Sequence, residues 1–265
     1  MEQPLKLDGR VAIVTGAGSS GPGYGTGKAI SILFAREGAK VVLVDKFEDR
    51  AKETLRLIED EGGSATIVTA DLAEVPACQH VVDEAVARYG GVDILVNNAA
   101  IASSTSILDT TPELYHQVIA VNLTAPFMLS KAAIPIMMKR GGGAIVNITS
   151  IAAMRGQGGA GSTAYATAKA GLMGLMVDLA DAYGKQGIRV NCVAPGIINT
   201  PMRAAAMRQA GVDPAQIDLT FRNCLGIDGD AWDIARAVLF LAGPDGRYVT
   251  GVLLPVDGGT TARSH

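Results

Sequence analysis

The chain is poor in the residues that build metal centres and covalent frameworks: three cysteines and three histidines stand among 265 residues. Cys78, Cys192 and Cys224 are an odd number without the paired spacing of a zinc site, so they read as reduced, buried packing residues. His80, His116 and His265 are too scattered for a metal site or a Ser-His-Asp arrangement, and no metal is expected. Neither charge sign dominates. A formal net charge of −3 with no basic block argues against nucleic acid or an anionic membrane surface as partner and leaves small molecules. No run of about 18 apolar residues occurs, and Met1 to Arg10 lack the apolar core of a signal peptide. The expectation is a cytoplasmic protein without a membrane span.

What the chain does have is alternation. Short β-branched runs exchange with longer amphipathic stretches, the pattern of βαβ units and a parallel sheet covered on both faces. Strands are expected at Val11 to Thr15, Lys40 to Asp45, Ala65 to Ala70, Val92 to Asn97, Ala144 to Thr149, Ile188 to Ala194 and Val252 to Val256. Helices are expected near Gly27 to Glu37, Phe47 to Glu61, Ala73 to Tyr89, Thr111 to Lys139, Thr163 to Tyr183 and Ala231 to Leu241. No linker or repeat divides the chain, so the expected fold is one α/β domain over 1–265. It is a Rossmann-type doubly wound seven-stranded parallel sheet with helices on both faces. The stretch 201–229 reads as short helices and loop, a candidate lid over the substrate.

The first strand runs into a glycine-rich turn, Gly16 to Gly27, followed by a helix. Such a turn lets the backbone approach a pyrophosphate, and the helix N-terminus offers free N–H groups and a positive dipole. Asp45 closes the second strand, 18 residues after Gly27, where a carboxylate can accept from the adenosine ribose hydroxyls and repel a 2′-phosphate. This favours NAD. Lys46 next door is the counter-signal, since a cation there accommodates NADP. Tyr165 and Lys169 are four residues apart and share a helix face, so a cation lies beside a phenol. Asn122 lies inside the helical pattern Thr111 to Lys139, and Pro126, four residues on, has no N–H to bond its carbonyl. That carbonyl is free to hold a water.

In order along the chain, Thr15-Gly16 with Gly25-Thr26-Gly27, Asp71-Leu72, Asn97-Asn98-Ala99, Asn122, Ser150, Tyr165 with Lys169, Pro195-Gly196 with Thr200, and Asp257-Gly258-Gly259 resemble the short-chain dehydrogenase/reductase family over nearly the whole length. The resemblance implies hydride transfer on a nicotinamide cofactor. Tyr165 would be the general acid/base. Lys169 would lower its pKa and hydrogen-bond the nicotinamide ribose, Ser150 would hold the substrate oxygen, with Thr149 as the alternative, and Asn122 would hold a relay water. The family turn runs T-G-x-x-x-G-x-G, and this chain has about five extra residues near Ser19 to Gly23. Gly16, Ser19, Ser20, Tyr24, Gly25, Thr26 and Gly27 are therefore the pyrophosphate candidates, with the assignment within Ser19 to Gly25 open. Asp71 and Leu72 would bracket the adenine edge, and Asn98, Ala99 and Ala100 would meet the adenosine side. Pro195, Gly196, Ile198 and Thr200 would hold the nicotinamide carboxamide.

These implications describe an NAD-dependent dehydrogenase of a secondary alcohol. An NADPH-dependent carbonyl reductase and a non-catalytic nucleotide-binding scaffold on the same fold are the alternatives. The pocket should draw on Ala100 to Ser104, Ile151 to Gln157 and 201–229. Met154, Met202, Met207 and Phe221 would make it partly apolar, and Arg155 or Gln157 would meet a polar substituent. A medium-sized cyclic or aromatic-substituted alcohol is the expected substrate. Small and apolar residues crowd the helices Thr111 to Lys139 and Thr163 to Tyr183 beyond one core-facing stripe, and family members pair these helices, which implies a homotetramer or, failing that, a dimer.

Overall fold

A computed structural model describes residues 5–103, 105–156, 162–209, 213 and 220–263. Strands β1 (Val11–Thr15), β2 (Lys40–Asp45), β3 (Ser64–Thr69), β4 (Ile94–Asn97), β5 (Gly143–Ile148), β6 (Ile188–Pro195) and β7 (Leu253–Val256) form one sheet in the order β3-β2-β1-β4-β5-β6-β7. Every neighbouring pair is parallel. The helices are α1 (Thr26–Arg36), α2 (Glu48–Asp60), α3 (Val75–Tyr89), α4 (Pro112–Ile119), α5 (Ala125–Lys139), α6 (Thr163–Tyr183), α7 (Pro201–Gln209) and α8 (Ala231–Ala242).

Because successive strand residues point to opposite faces, β1 and β2 feed two cores. Ala12, Val14, Val41 and Leu43 pack with Ile30 and Phe34 of α1 and Ile234 and Val238 of α8. Ile13, Val42 and Val44 pack with Val81 of α3, Leu129 of α5 and Leu172 of α6. A sheet buried on both sides needs such continuous apolar strands, and this is why β1 and β2 coincide with their sequence runs. Asp230 caps α8, its carboxylate accepting from the Trp232 and Asp233 amides while Asp233 returns a bond to the Asp230 amide.

The expected single helix over Thr111 to Lys139 contains a π turn at Ala120–Thr124, which joins α4 to α5. Pro126 cannot donate, so the ladder slips one residue, and the Ala125 amide bonds the Ala120 carbonyl. The helix from Pro112 to Lys139 is long and apolar enough to cross a membrane by length and composition alone. Its apolar residues Ala125, Leu129, Ala133 and Met137 are instead spent on the core between α3 and the sheet. One cysteine departs from expectation. Cys78 and Cys192 are buried, whereas Cys224 is exposed, because it lies in the loop before α8 rather than under a helix.

At the edge where β1 and β4 begin, Asp93 is 2% exposed. Its carboxylate accepts two bonds from Arg140 at 2.9 Å each, one from the Val11 amide at 2.8 Å and one from Arg10 at 3.4 Å. Burial alone would raise this carboxyl, but the bonds from Arg140 and Val11 outweigh it and hold it below the ordinary carboxylate range. Replacing Asp93 with Ala strands a guanidinium and an amide, so the unfolding free energy in urea should fall by about 3 kcal/mol. The folded pKa lies below the unfolded value near ~4. The stabilisation is therefore present above that value and lost as pH falls through the folded one, where parent and variant should converge. A loss under about 1 kcal/mol at neutral pH would show that the network carries little.

Candidate active site

Between β1 and β4 the strand order reverses, and there, at the carboxyl ends of the strands, connecting segments must part and leave a crevice. The crevice has a volume of about 1780 Å3. Asp45, Lys46 and Asp71 line one end and Ser150, Tyr165 and Lys169 the other. Gly16, Ser19, Ser20, Gly25, Thr26, Gly27, Leu72, Asn98, Ala99, Ala100, Pro195, Gly196, Ile198 and Thr200 line the space between. Two site candidates from the sequence, Tyr24 and Asn122, are not on this wall.

The glycine turn is shaped by exclusion. Gly16 adopts φ +64°, and a Cβ on Gly27 would sit 2.0 Å from the Gly16 carbonyl oxygen, so neither position takes a side chain. Asn98 clamps the turn by donating its side-chain amide to the Thr15 and Gly16 carbonyls, and the Asn98 and Ala99 amides donate to the Thr15 hydroxyl. Asn98 is thus a brace of the turn as well as a wall residue. Gly25 precedes α1 without any side-chain cap, which leaves the first helical N–H groups for an anion.

The lengthened turn divides: Ser19 and Ser20 line the cleft, whereas Tyr24 turns away from it. Tyr24 packs on Trp232 of α8, ring centroids 5.1 Å apart, and over the Lys28 ammonium at 5.1 Å. Lys28, 2% exposed, donates to the Gly23 carbonyl and pairs with Glu53 at 2.7 Å. Its position right after Gly27 was visible in the sequence, but the inserted loop that buries it was not placed.

At the end of the cleft beside β2, Asp45 accepts from the Gly18 amide at 3.0 Å and from the Phe47 amide at 3.0 Å, tying the end of β2 to the turn. Lys46 is paired with Asp71 at 2.6 Å, and the Lys46 bond holds the Asp71 carboxyl below its usual value. Arg50, stacked on Phe47 at 4.1 Å, also lines the cleft. Arg50, in the first turn of α2, was not singled out from the sequence.

At the other end, Ser150 follows β5, and its oxygen accepts from the Ala152 amide at 3.2 Å. The Thr149 hydroxyl donates to the Lys169 carbonyl at 2.7 Å, which commits it to holding α6. Burial pushes the Tyr165 phenol above its ordinary value, and a hydrogen bond with Ser150 pulls the other way. Lys169, 2% exposed, donates to the Ile148 carbonyl at 2.7 Å, and its ammonium lies 5.6 Å from the Tyr165 ring centroid. Burial brings its pKa down to about 8. The helical spacing therefore does bring cation and phenol together, but burial, not the cation, sets the direction of the Tyr165 shift.

Asn122 is fully buried in the π turn, and its side chain accepts from the Ile101 amide at 2.9 Å and donates to the Ile101 carbonyl at 3.0 Å. It holds the segment leaving β4 from behind. The Thr200 hydroxyl accepts from the Arg203 amide at the start of α7, and the Asn199 amide donates to the Gly229 carbonyl. Met202, Met207 and Arg155 line the cleft, whereas Met154 is exposed outside it. Ser104, Gln157 and the Phe221 side chain lie outside the described residues. Arg203, Arg222, Thr260, Thr261 and Arg263 also line the cleft; Arg203 and Arg222 fall within the stretch 201–229 expected to border the pocket, whereas the other three were not singled out from the sequence.

A family model described as enoyl-(acyl carrier protein) reductase matches residues 21–261. An uncharacterized short-chain type dehydrogenase/reductase of Sinorhizobium fredii is 36% identical over 96% of this chain and 98% of its own length. The crystal structure of carveol dehydrogenase from Mycobacterium avium in complex with NAD superposes with a TM-score of 0.89 at 29% identity, covering 97% of this chain and 99% of that one. The crystal structure of a blue fluorescent protein from a metagenomic library, in complex with NADPH, gives 0.85 at 37% identity, covering 96% and 99%. With the strand order, the glycine turn and the Ser150, Tyr165 and Lys169 cluster already in place, these matches identify an NAD(P)-dependent oxidoreductase fold, and the chain belongs to the short-chain dehydrogenase/reductase family.

Proposed function

We propose that the protein is an NAD-dependent dehydrogenase that oxidises a secondary alcohol to a ketone in the cytoplasm, working as a homotetramer. The observation that carries the reading is the convergence of Ser150, Tyr165 and Lys169 at one end of a cleft whose other end is closed by Asp45. The uncapped amides of α1 and the side-chain-free floor at Gly16 and Gly27 suit a diphosphate. Asp45 and Asp71 would then hold the adenosine half, and Ile198 and Thr200 the carboxamide. When bound, NAD supplies the hydride acceptor. The chain's own task is the proton: Tyr165 takes it from the substrate hydroxyl while Ser150 donates a bond that holds the oxygen in place. Lys169 supplies positive charge beneath the Tyr165 ring.

For NAD over NADP, the support is the Asp45 carboxylate at the end of β2 and the engagement of Lys46 by Asp71. Arg50 in the same wall supports the second reading, an NADPH-dependent carbonyl reductase. Burial of Tyr165 supports it too, since the protonated phenol is the form that donates to a ketone oxygen. For assembly, the support is a shallow apolar groove formed by Leu123, Phe127, Gly171, Gly174 and Leu175 on α5, α6 and the π turn between α4 and α5, beside the exposed Val177. Isologous packing of this face against a second copy closes without open ends. The free thiols of Cys78, Cys192 and Cys224 suit a reducing compartment.

Replacing Tyr165 with Phe keeps the ring and removes the proton acceptor, so turnover should fall by roughly 10²- to 10⁴-fold with reduced-cofactor binding, read by fluorescence, unchanged. Near-normal turnover would sink the mechanism. Replacing Asp45 with Ala should shrink the NAD to NADP ratio of kcat/KM at least tenfold, and a parent enzyme that already prefers NADP overturns the cofactor assignment. Light scattering at micromolar concentration should report a tetramer, and a monomer would refute the assembly.

A further inference from the structure

Along the cleft the charge of the wall changes. Among the described lining residues, the carboxylates are Asp45 and Asp71, both at the adenosine end. The wall beyond Ser150 carries Arg155, Arg203, Arg222 and Arg263, in a chain whose formal net charge is −3. Three segments distant in sequence are stitched together to build it. The Arg155 guanidinium, on the turn after Ser150, donates to the Thr260 carbonyl at 2.6 Å. The C-terminal segment in turn holds the stretch following Arg222, through bonds from the Cys224 and Leu225 amides to the Gly258 carbonyl at 2.8 and 3.1 Å. Arg203 enters from the first turn of α7, which starts at the Thr200 hydroxyl.

Arg155 and Arg203 are each half-buried, and neither takes part in any of the chain's ion pairs among the described residues. Among the described residues, the Arg155 side chain's partner is a neutral carbonyl. Burial lowers the Arg203 pKa, the Asp228 charge opposes it, and the smaller effect of the Arg222 charge adds to the lowering. Removing guanidinium from water without an ion-pair partner is unfavourable, and elsewhere the chain does pair its buried charge, as Asp93 with Arg140 shows. The planar fork of a guanidinium matches two oxygens of a carboxylate or phosphate.

We propose that the molecule processed at Tyr165 carries an anionic group, a carboxylate or a phosphate ester, and that Arg155 and Arg203 hold it. This rests on the alcohol and ketone reading above and narrows its substrate class to hydroxy or keto acids and their phosphorylated counterparts. It adds an anionic substituent to the medium-sized cyclic or aromatic-substituted alcohol expected from the sequence. Met202 and Met207 on the same wall remain free to pack the carbon skeleton between the reacting oxygen and the anion.

The test is binding selectivity on the full chain saturated with NADH or NADPH, titrated calorimetrically with benzoate, phenyl phosphate and benzamide. At least one of the two anions should bind tenfold or more tightly than benzamide, and the stronger of them identifies the group. Arg155→Gln and Arg203→Gln should each reduce that preference severalfold, and the double variant should abolish it. Arg155→Lys, which keeps the charge, should retain part, and reduced-cofactor affinity should be unchanged throughout. Equal binding of benzamide and both anions overturns the proposal, as does a preference that survives the double substitution. Loss of cofactor affinity in Arg203→Gln assigns Arg203 to the cofactor's diphosphate and also overturns it. The readout needs no turnover. A protein that selects anions but oxidises no alcohol fails only the functional reading, and one that oxidises neutral alcohols while ignoring charge fails only this proposal.

Discussion

A side chain cannot be placed at the junction of Gly16, Gly27 and Asn98, and the rest of the site depends on that exclusion. With a Gly27 Cβ position 2.0 Å from the Gly16 carbonyl, α1 can leave β1 only if both residues are glycine. The Asn98 amide and the Thr15 hydroxyl then fix the ends of β1 and β4 to each other. One strand end thereby points its helix amides into the crevice, while the other sends Ala99 to Ile101 across to Asn122. The cleft exists because these two connections diverge from a single locked point.

Stability and chemistry occupy opposite edges of the sheet. Where β1 and β4 begin, Asp93 is buried with its charge matched by Arg140, Arg10 and the Val11 amide. Where β5 ends, the Lys169 side chain is buried and that of Tyr165 half-buried, neither in an ion pair among the described residues, and burial moves Lys169 toward neutrality and Tyr165 away from ionisation. Such an arrangement is unfavourable for the folded state and favourable for proton transfer, because small changes in nearby charge then move the protonation state. Thr149, hydrogen-bonded to the Lys169 backbone, ties α6 to the end of β5.

Local signals carried far. The run Val11–Thr15 and the pattern Thr163–Tyr183 coincide with β1 and α6 because burial on two sheet faces and helical periodicity leave a direct imprint on residue order. The helix across Asn122 was legible, but its π turn was not, since a missing donor at Pro126 says that a bond is lost without saying how the ladder re-forms. Tyr24 looked like a wall of the cofactor site from its place in the glycine turn. Its partner, Trp232, belongs to a helix near the other end of the chain, and no spacing rule links the two. Cys224 read as buried by its residue type, yet lies exposed in a loop.

By itself the sequence determined the layered α/β class, the seven parallel strands, the glycine turn and the pairing of Tyr165 with Lys169. Each rests on contacts within one element or one turn, and periodicity and backbone sterics decide those locally. Only the tertiary structure decided which charges meet. It set Lys46 on Asp71, sank Lys28 under the inserted loop, and gathered Arg155, Arg203, Arg222 and Arg263 on one wall. These groups are separated along the chain and become neighbours only through the strand order β3-β2-β1-β4-β5-β6-β7, which brings the carboxyl ends of distant strands around a single crevice.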